Sequence, residues 1–161
     1  MKHTTLAIAG VLAVALAACG GPSEEAKEFY AKAMQGDASE MMLGDLALKR
    51  GESEGIKTYG QTLHQDHTAA GAAVKKAADE AGLKVPATPT REARDEHEKL
   101  AKLNGADFDK EFASYMVDDH KKDIEDFEKA AKSKDTKLAK LASDTLPVLR
   151  KHLQMAESLN Q

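Results

Sequence analysis

From Glu24 onward the apolar residues of this chain recur at steps of three and four, and nowhere do they alternate. That period belongs to the α-helix, whose side chains three and four apart share a face, and it leaves no segment that reads as a strand. Ala, Lys, Glu, Asp and Leu dominate and tryptophan is absent, a composition that favours helices. Four long helices are expected. The first runs from Glu24 to Arg50, with a break at Gly36-Asp37, where Asp37 or Ser39 would cap a restart. The second runs from the N-cap Ser53 to Ala81, and Gly82 ends it. Pro86 and Pro89 mark a connector, with Thr90 capping a short helix to about Leu103 before Asn104-Gly105 breaks the chain. The third long helix spans about Asp107 to Lys132, and Asp135 caps the fourth, which continues to about Ser158. Short turns near Gly51 and Ser133 make two hairpins joined by the longer connector. The expected class is all-α, an antiparallel four-helix bundle with an extra short helix in the connector.

The N-terminus reads as an export signal. Lys2 is followed by an apolar run from Leu6 to Ala18 broken only by Gly10. Such a run is the length of a signal-peptide core and too short to span a bilayer comfortably. It ends in Leu16-Ala17-Ala18-Cys19, which resembles the lipobox of bacterial lipoproteins. The expectation is a lipoprotein signal peptide over 1–18, a lipidated tether over 19–23 and one helical domain over 24–161. Lipid on Cys19 anchors a chain to a membrane without spanning it. Cys19 is the only cysteine, so the rest of the chain has no thiol for a disulfide, a metal or nucleophilic attack. Gly20 follows it, with no Asp there, and by resemblance to the sorting rule of Gram-negative lipoproteins this implies the outer membrane, facing the periplasm. Without the signal segment, 22 basic stand against 27 acidic residues, interspersed and with no basic stripe, so nucleic acid is not an expected partner.

Each long helix carries a polar residue inside its apolar stripe. The second reads Ile56, Tyr59, Leu63, His67, Ala70, Val74, Ala77, Ala81. His120 falls in line with Met116, Ile124 and Phe127, His152 with Leu149, Met155 and Ala156, and Glu40 with Ala33, Leu43 and Ala47. Burying four such groups separately costs a few kcal/mol each unless all are paired. A shared cation would satisfy them together, because imidazole and carboxylate are ligands for zinc, iron or copper. With a rise of ~1.5 Å per residue, Glu40 and His67 lie within roughly 5 Å along the axis about the Gly51 turn, and His120 and His152 about 7 Å apart about the Ser133 turn. His64, one turn from His67, is a weaker ligand candidate at the edge of the stripe. Asp66 and Asp119 each precede a core-facing histidine and diverge from it by about 100° on the helix. Each is a candidate acceptor for a histidine on a neighbouring helix, with a solvated flank as the ordinary alternative. His97 stands among charges and is expected in solvent, and Pro147 is expected to kink the fourth helix and free the Ser143 carbonyl.

The segments Ser39-Glu40-Met41-Met42-Leu43-Gly44, Asp66-His67-Thr68, Gly105-Ala106-Asp107-Phe108-Asp109, Asp119-His120 and Thr145-Leu146-Pro147-Val148-Leu149-Arg150-Lys151-His152 resemble a family of bacterial envelope proteins. It is catalogued as domain of unknown function 4142 and often labelled an outer-membrane protein. The resemblance covers roughly Tyr30 to Leu159. It implies a ferritin-like four-helix fold and an envelope location, and it supplies no activity. Di-iron proteins of the ferritin class use Glu-x-x-His motifs. Here the residues three before His67, His120 and His152 are His64, Val117 and Leu149, so a single histidine-rich site fits better than a di-iron one.

No Gly-x-Ser-x-Gly, P-loop or dinucleotide fingerprint occurs. The leading expectation is an outer-membrane lipoprotein that binds a divalent metal through His67, His120 and His152, with Glu40 as carboxylate ligand, for structure or storage ahead of catalysis. The rival is an interaction module for another envelope protein, in which the histidines pair with buried acids and no metal is held.

Overall fold

The computed structural model describes residues 21–160, which form five helices: α1 (Glu24–Arg50), α2 (Glu54–Glu80), α3 (Arg91–Leu100), α4 (Gly105–Ala130) and α5 (Thr136–Leu159). The expected signal segment and Cys19 lie outside the described residues. No described helix is long and apolar enough to cross a membrane.

All the helices but α4 start where a short polar side chain satisfies free N–H groups of the first turn. Ser53 accepts from the Ile56 amide, Thr90 from the Ala93 amide, and Asp135 from the amides of Lys137 and Leu138. At the end of α2, Gly82 takes φ 73°, and the Leu83 amide donates back to the Ala78 carbonyl at 2.9 Å. This is the left-handed glycine stop that an L side chain resists. One expected break is absent. α1 runs unbroken through Gly36-Asp37 because the Asp37 side chain reaches across to α2 rather than capping a restart. α5 runs on through Pro147.

α1 and α2 form one antiparallel hairpin and α4 and α5 a second, while α2 also packs on α5, α1 on α4, and α3 on α1 and α4. The directions follow from the cross-contacts: Asp37 with His67 and Gly44 with Gly60, Lys121 with Glu157 and Arg150 with Glu128, Glu80 with Lys137 and Asp66 with His152. Asp109 on α4 ties the hairpins at one end, accepting from the amides of Glu52 and Ser53 at 2.8 Å each. The arrangement is compatible with an antiparallel four-helix bundle.

α1 and α2 approach so closely at Gly44 and Gly60 that a Cβ on Gly60 would stand 2.5 Å from the Gly44 carbonyl oxygen. Gly60→Ala is therefore expected to lower stability by about 1–3 kcal/mol, the usual cost of overpacking. Gly36→Ala adds a Cβ that meets nothing within 4 Å and should raise stability by roughly 0.5–1 kcal/mol, the helix advantage of alanine. Urea unfolding of the two variants checks the opposite signs.

The core has two apolar layers. One gathers Leu43, Ile56, Leu63, Phe108, Phe112 and Met116. The other gathers Phe29, Tyr30, Val74, Ala78, Leu138 and Ala142. Along each of the four long helices a buried polar residue falls between the two: Glu40, His67, His120 and His152, all at most 4% exposed.

Candidate metal centre

His67, His120 and His152 each offer one ring nitrogen, and the three nitrogens lie within 4.8 Å of one another. The ring centroids are 6.1 Å apart for His67 and His120, 5.2 Å for His67 and His152, and 5.3 Å for His120 and His152.

The outer nitrogen of each ring is already held. His120 Nδ1 lies 3.0 Å from the Met116 carbonyl oxygen. A carbonyl only accepts, so Nδ1 carries the proton and Nε2 keeps a lone pair. His67 Nδ1 donates to Asp37 Oδ1 at 2.9 Å, and His152 Nε2 donates to Asp66 Oδ2 at 2.9 Å. The remaining nitrogens, Nε2 of His67 and His120 and Nδ1 of His152, are buried and have no hydrogen-bond partner. An oxygen acceptor behind each imidazole is the arrangement that fixes the tautomer and turns the other nitrogen toward a metal. Such a group could hold a metal ion.

The electrostatics keep the lone pairs of His120 and His152 free. Burial, reinforced by the neighbouring histidines, pushes His120 down to about 3. Burial also lowers His152 to about 4, against the pull of Asp66. Both rings are therefore neutral at pH 7. Burial would raise Asp66, but its bonds from His152 and Lys151 outweigh that and hold it below the usual carboxylate range. Asp37 is raised by burial, offset in part by His67.

The other expected site residues fall elsewhere. Glu40 does not join the three histidine nitrogens. Its Oε1 stands 3.7 Å from His120 Nδ1, the nitrogen engaged by Met116, and its carboxylate groups instead with Asp119 and Asp123, again within 4.8 Å. The reason is register: in the α1–α2 hairpin the residue opposite His67 is Asp37, one turn before Glu40. Asp119 hydrogen-bonds no histidine among the described residues and lies in that carboxylate group. His64 pairs with Asp45 at 2.8 Å, both side chains more than 40% exposed, away from the three rings. His97 is half-buried rather than solvated. Burial and the charge of Asp119 raise Glu40 well above the usual range, and burial with Asp119 pushes Asp123 up to about 8.

Sequence reasoning missed Asp37 and Asp123. Asp37 lies three residues before Glu40 and Asp123 three after His120, so each shares a helix face with a residue already singled out. That spacing was the available signal.

A cavity of about 390 Å³ between α1, α4 and α5 reaches this centre. Phe29, Ala33, Phe127 and Leu149 line its apolar wall, Asp37, His67 and Asp123 its floor, and the exposed Glu24, Glu28 and Asp126 stand among the residues at its mouth.

Fold and site together define an all-helical protein with a buried three-histidine group able to hold a metal. The chain belongs to the family described as Domain of unknown function (DUF4142), whose model matches residues 12–159. No curated protein and no solved structure matches it.

Proposed function

We propose that this is a lipid-anchored protein of the bacterial envelope whose ferritin-like four-helix domain holds a divalent metal ion on His67, His120 and His152. The single observation that carries the reading is that three buried imidazoles bring nitrogens within 4.8 Å of one another, each ring with one nitrogen on an oxygen acceptor and one without a partner. Three nitrogen donors suit zinc, copper or iron better than calcium or magnesium, which prefer oxygen. Each lone pair left bare in the core costs about 1–3 kcal/mol, a cost that coordination removes. Zinc, with bonds of ~2.0–2.1 Å to imidazole, would keep a fourth position for water or another ligand. The Leu16-Ala17-Ala18-Cys19 motif supports the lipid anchor, and Gly20 after it supports the outer membrane.

The rival reading, a metal-free interaction module, draws on the Asp37–His67 and Asp66–His152 bonds, which pair histidines with acids. Those bonds use one nitrogen each of His67 and His152, and together with the His120–Met116 bond they leave three buried nitrogens without a partner, which favours the metal. The test is the metal content of the full chain, untagged and purified without chelator, beside a His67→Ala/His120→Ala variant. At least one zinc, iron or copper ion per chain is expected in the first, and that ion should be lost in the second.

A further inference from the structure

We propose that Glu40, Asp119 and Asp123 form a second cation site beside the three histidines, suited to a hard divalent ion such as Mn²⁺ and reached through the cavity between α1, α4 and α5. The three carboxylates each bring an oxygen to within 4.8 Å of the others. Glu40 is 0% exposed, and neither of its oxygens has a hydrogen-bond partner. As an anion, a fully buried carboxylate facing two more acids is unfavourable, and either a proton shared with Asp119 or a cation among the three relieves it. The nearest imidazole does not supply it: His120 Nδ1, 3.7 Å from Glu40 Oε1, gives its proton to Met116. A second unpartnered group lies within reach of the same charges. The Tyr59 hydroxyl is fully buried without a partner, and the charges of Glu40 and Asp119 act on it.

The donor chemistry separates this site from its neighbour. Oxygen donors from carboxylates select hard ions, whereas the three imidazoles select borderline ones. The cavity supplies the route. Asp123 belongs both to the cavity floor and to the carboxylate group, while His67 and Asp37 on the same floor belong to the histidine centre. Among the exposed lining residues Glu24, Glu25, Glu28 and Asp126 outnumber Lys32 and Lys129, and this net negative charge favours cations at the opening.

This inference extends the three-histidine reading without depending on it, because the two sites share no ligand. The test uses the full chain, stripped with chelator and dialysed, and follows free Mn²⁺ by electron paramagnetic resonance with and without one equivalent of zinc. One Mn²⁺ per chain is expected in both conditions. Glu40→Gln and Asp123→Asn, measured separately and checked for helicity by circular dichroism, should each weaken Mn²⁺ binding at least tenfold and leave zinc uptake intact. His67→Ala/His152→Ala should do the reverse. Zinc failing to bind while Mn²⁺ uptake persists would remove the histidine reading and leave this one standing. Folded wild-type chain that binds no Mn²⁺, or binds it as tightly after Glu40→Gln and Asp123→Asn, overturns the proposal.

Discussion

Zinc at about a hundred times its dissociation constant is expected to stabilise the chelator-treated chain by about 2.7 kcal/mol, the linkage value for a ligand that binds only the folded state. For a domain of this size that is a rise in melting temperature of roughly 5–10 °C. The effect follows from the layered core. Three lone pairs lie between two apolar layers with nothing to accept, and the unfolded chain has no comparable site. His120→Ala should abolish the shift, since His120 is 0% exposed, brings a nitrogen to the three-histidine group and leaves its Nε2 without a partner. His64→Ala should leave it unchanged, because His64 pairs with Asp45 at the surface. Differential scanning calorimetry of the three proteins measures this. Equal shifts in wild type and His120→Ala would place the zinc elsewhere.

The second large effect is on pH dependence, again with chelator present. His120 and His152 fall from 6.5 to about 3 and about 4 on folding, chiefly through burial. Above pH 6.5 both are neutral folded or unfolded. Below it the unfolded chain takes up protons that the folded chain refuses, so stability falls as pH drops from 6.5 toward 3–4. The carboxylates carry the opposite sign. Asp123 is raised to about 8, so between pH 4 and 8 the folded chain keeps a proton that the unfolded chain has released, and stability falls as pH rises. The two trends oppose each other in the wild type, and single variants separate them. From pH 7 to 4.5, His120→Gln should keep about 2–3 kcal/mol more of its stability than wild type, from ~1.4 kcal/mol per pH unit below 6.5. Over the same interval Asp123→Asn should keep less than wild type by about 3 kcal/mol, having lost the group that gains on acidification. Urea unfolding at the two pH values reads both signs, and parallel pH curves for the three proteins would contradict the burial argument.

Much of the helical layout was legible because caps and stripes are local. Ser53, Thr90 and Asp135 bond the first-turn amides of their own helices, and Gly82 takes the left-handed turn that stops α2. The burial of His67, His120 and His152 was likewise visible in the three- and four-residue spacing. What sits opposite what was not visible, because it depends on how neighbouring helices slide past one another. Counting from the Gly51 turn set Glu40 against His67, whereas the hairpin pairs His67 with Asp37. Asp37 itself read as a cap at a Gly-Asp break, since its long-range bond outweighs local turn chemistry only once α2 is in place. The separation of Glu40 and Asp119 into a carboxylate group of their own has the same origin: it is set by the α1–α4 contact, which no spacing within one helix encodes.

The central claim, a metal held by three histidines, is tested most directly by mass-spectrometric metal analysis of the untagged full chain beside His67→Ala/His120→Ala. The account predicts at least one zinc, iron or copper ion per wild-type chain and its loss from the variant. A wild-type chain that carries none of these ions, and takes up none when each is offered in excess, would contradict it.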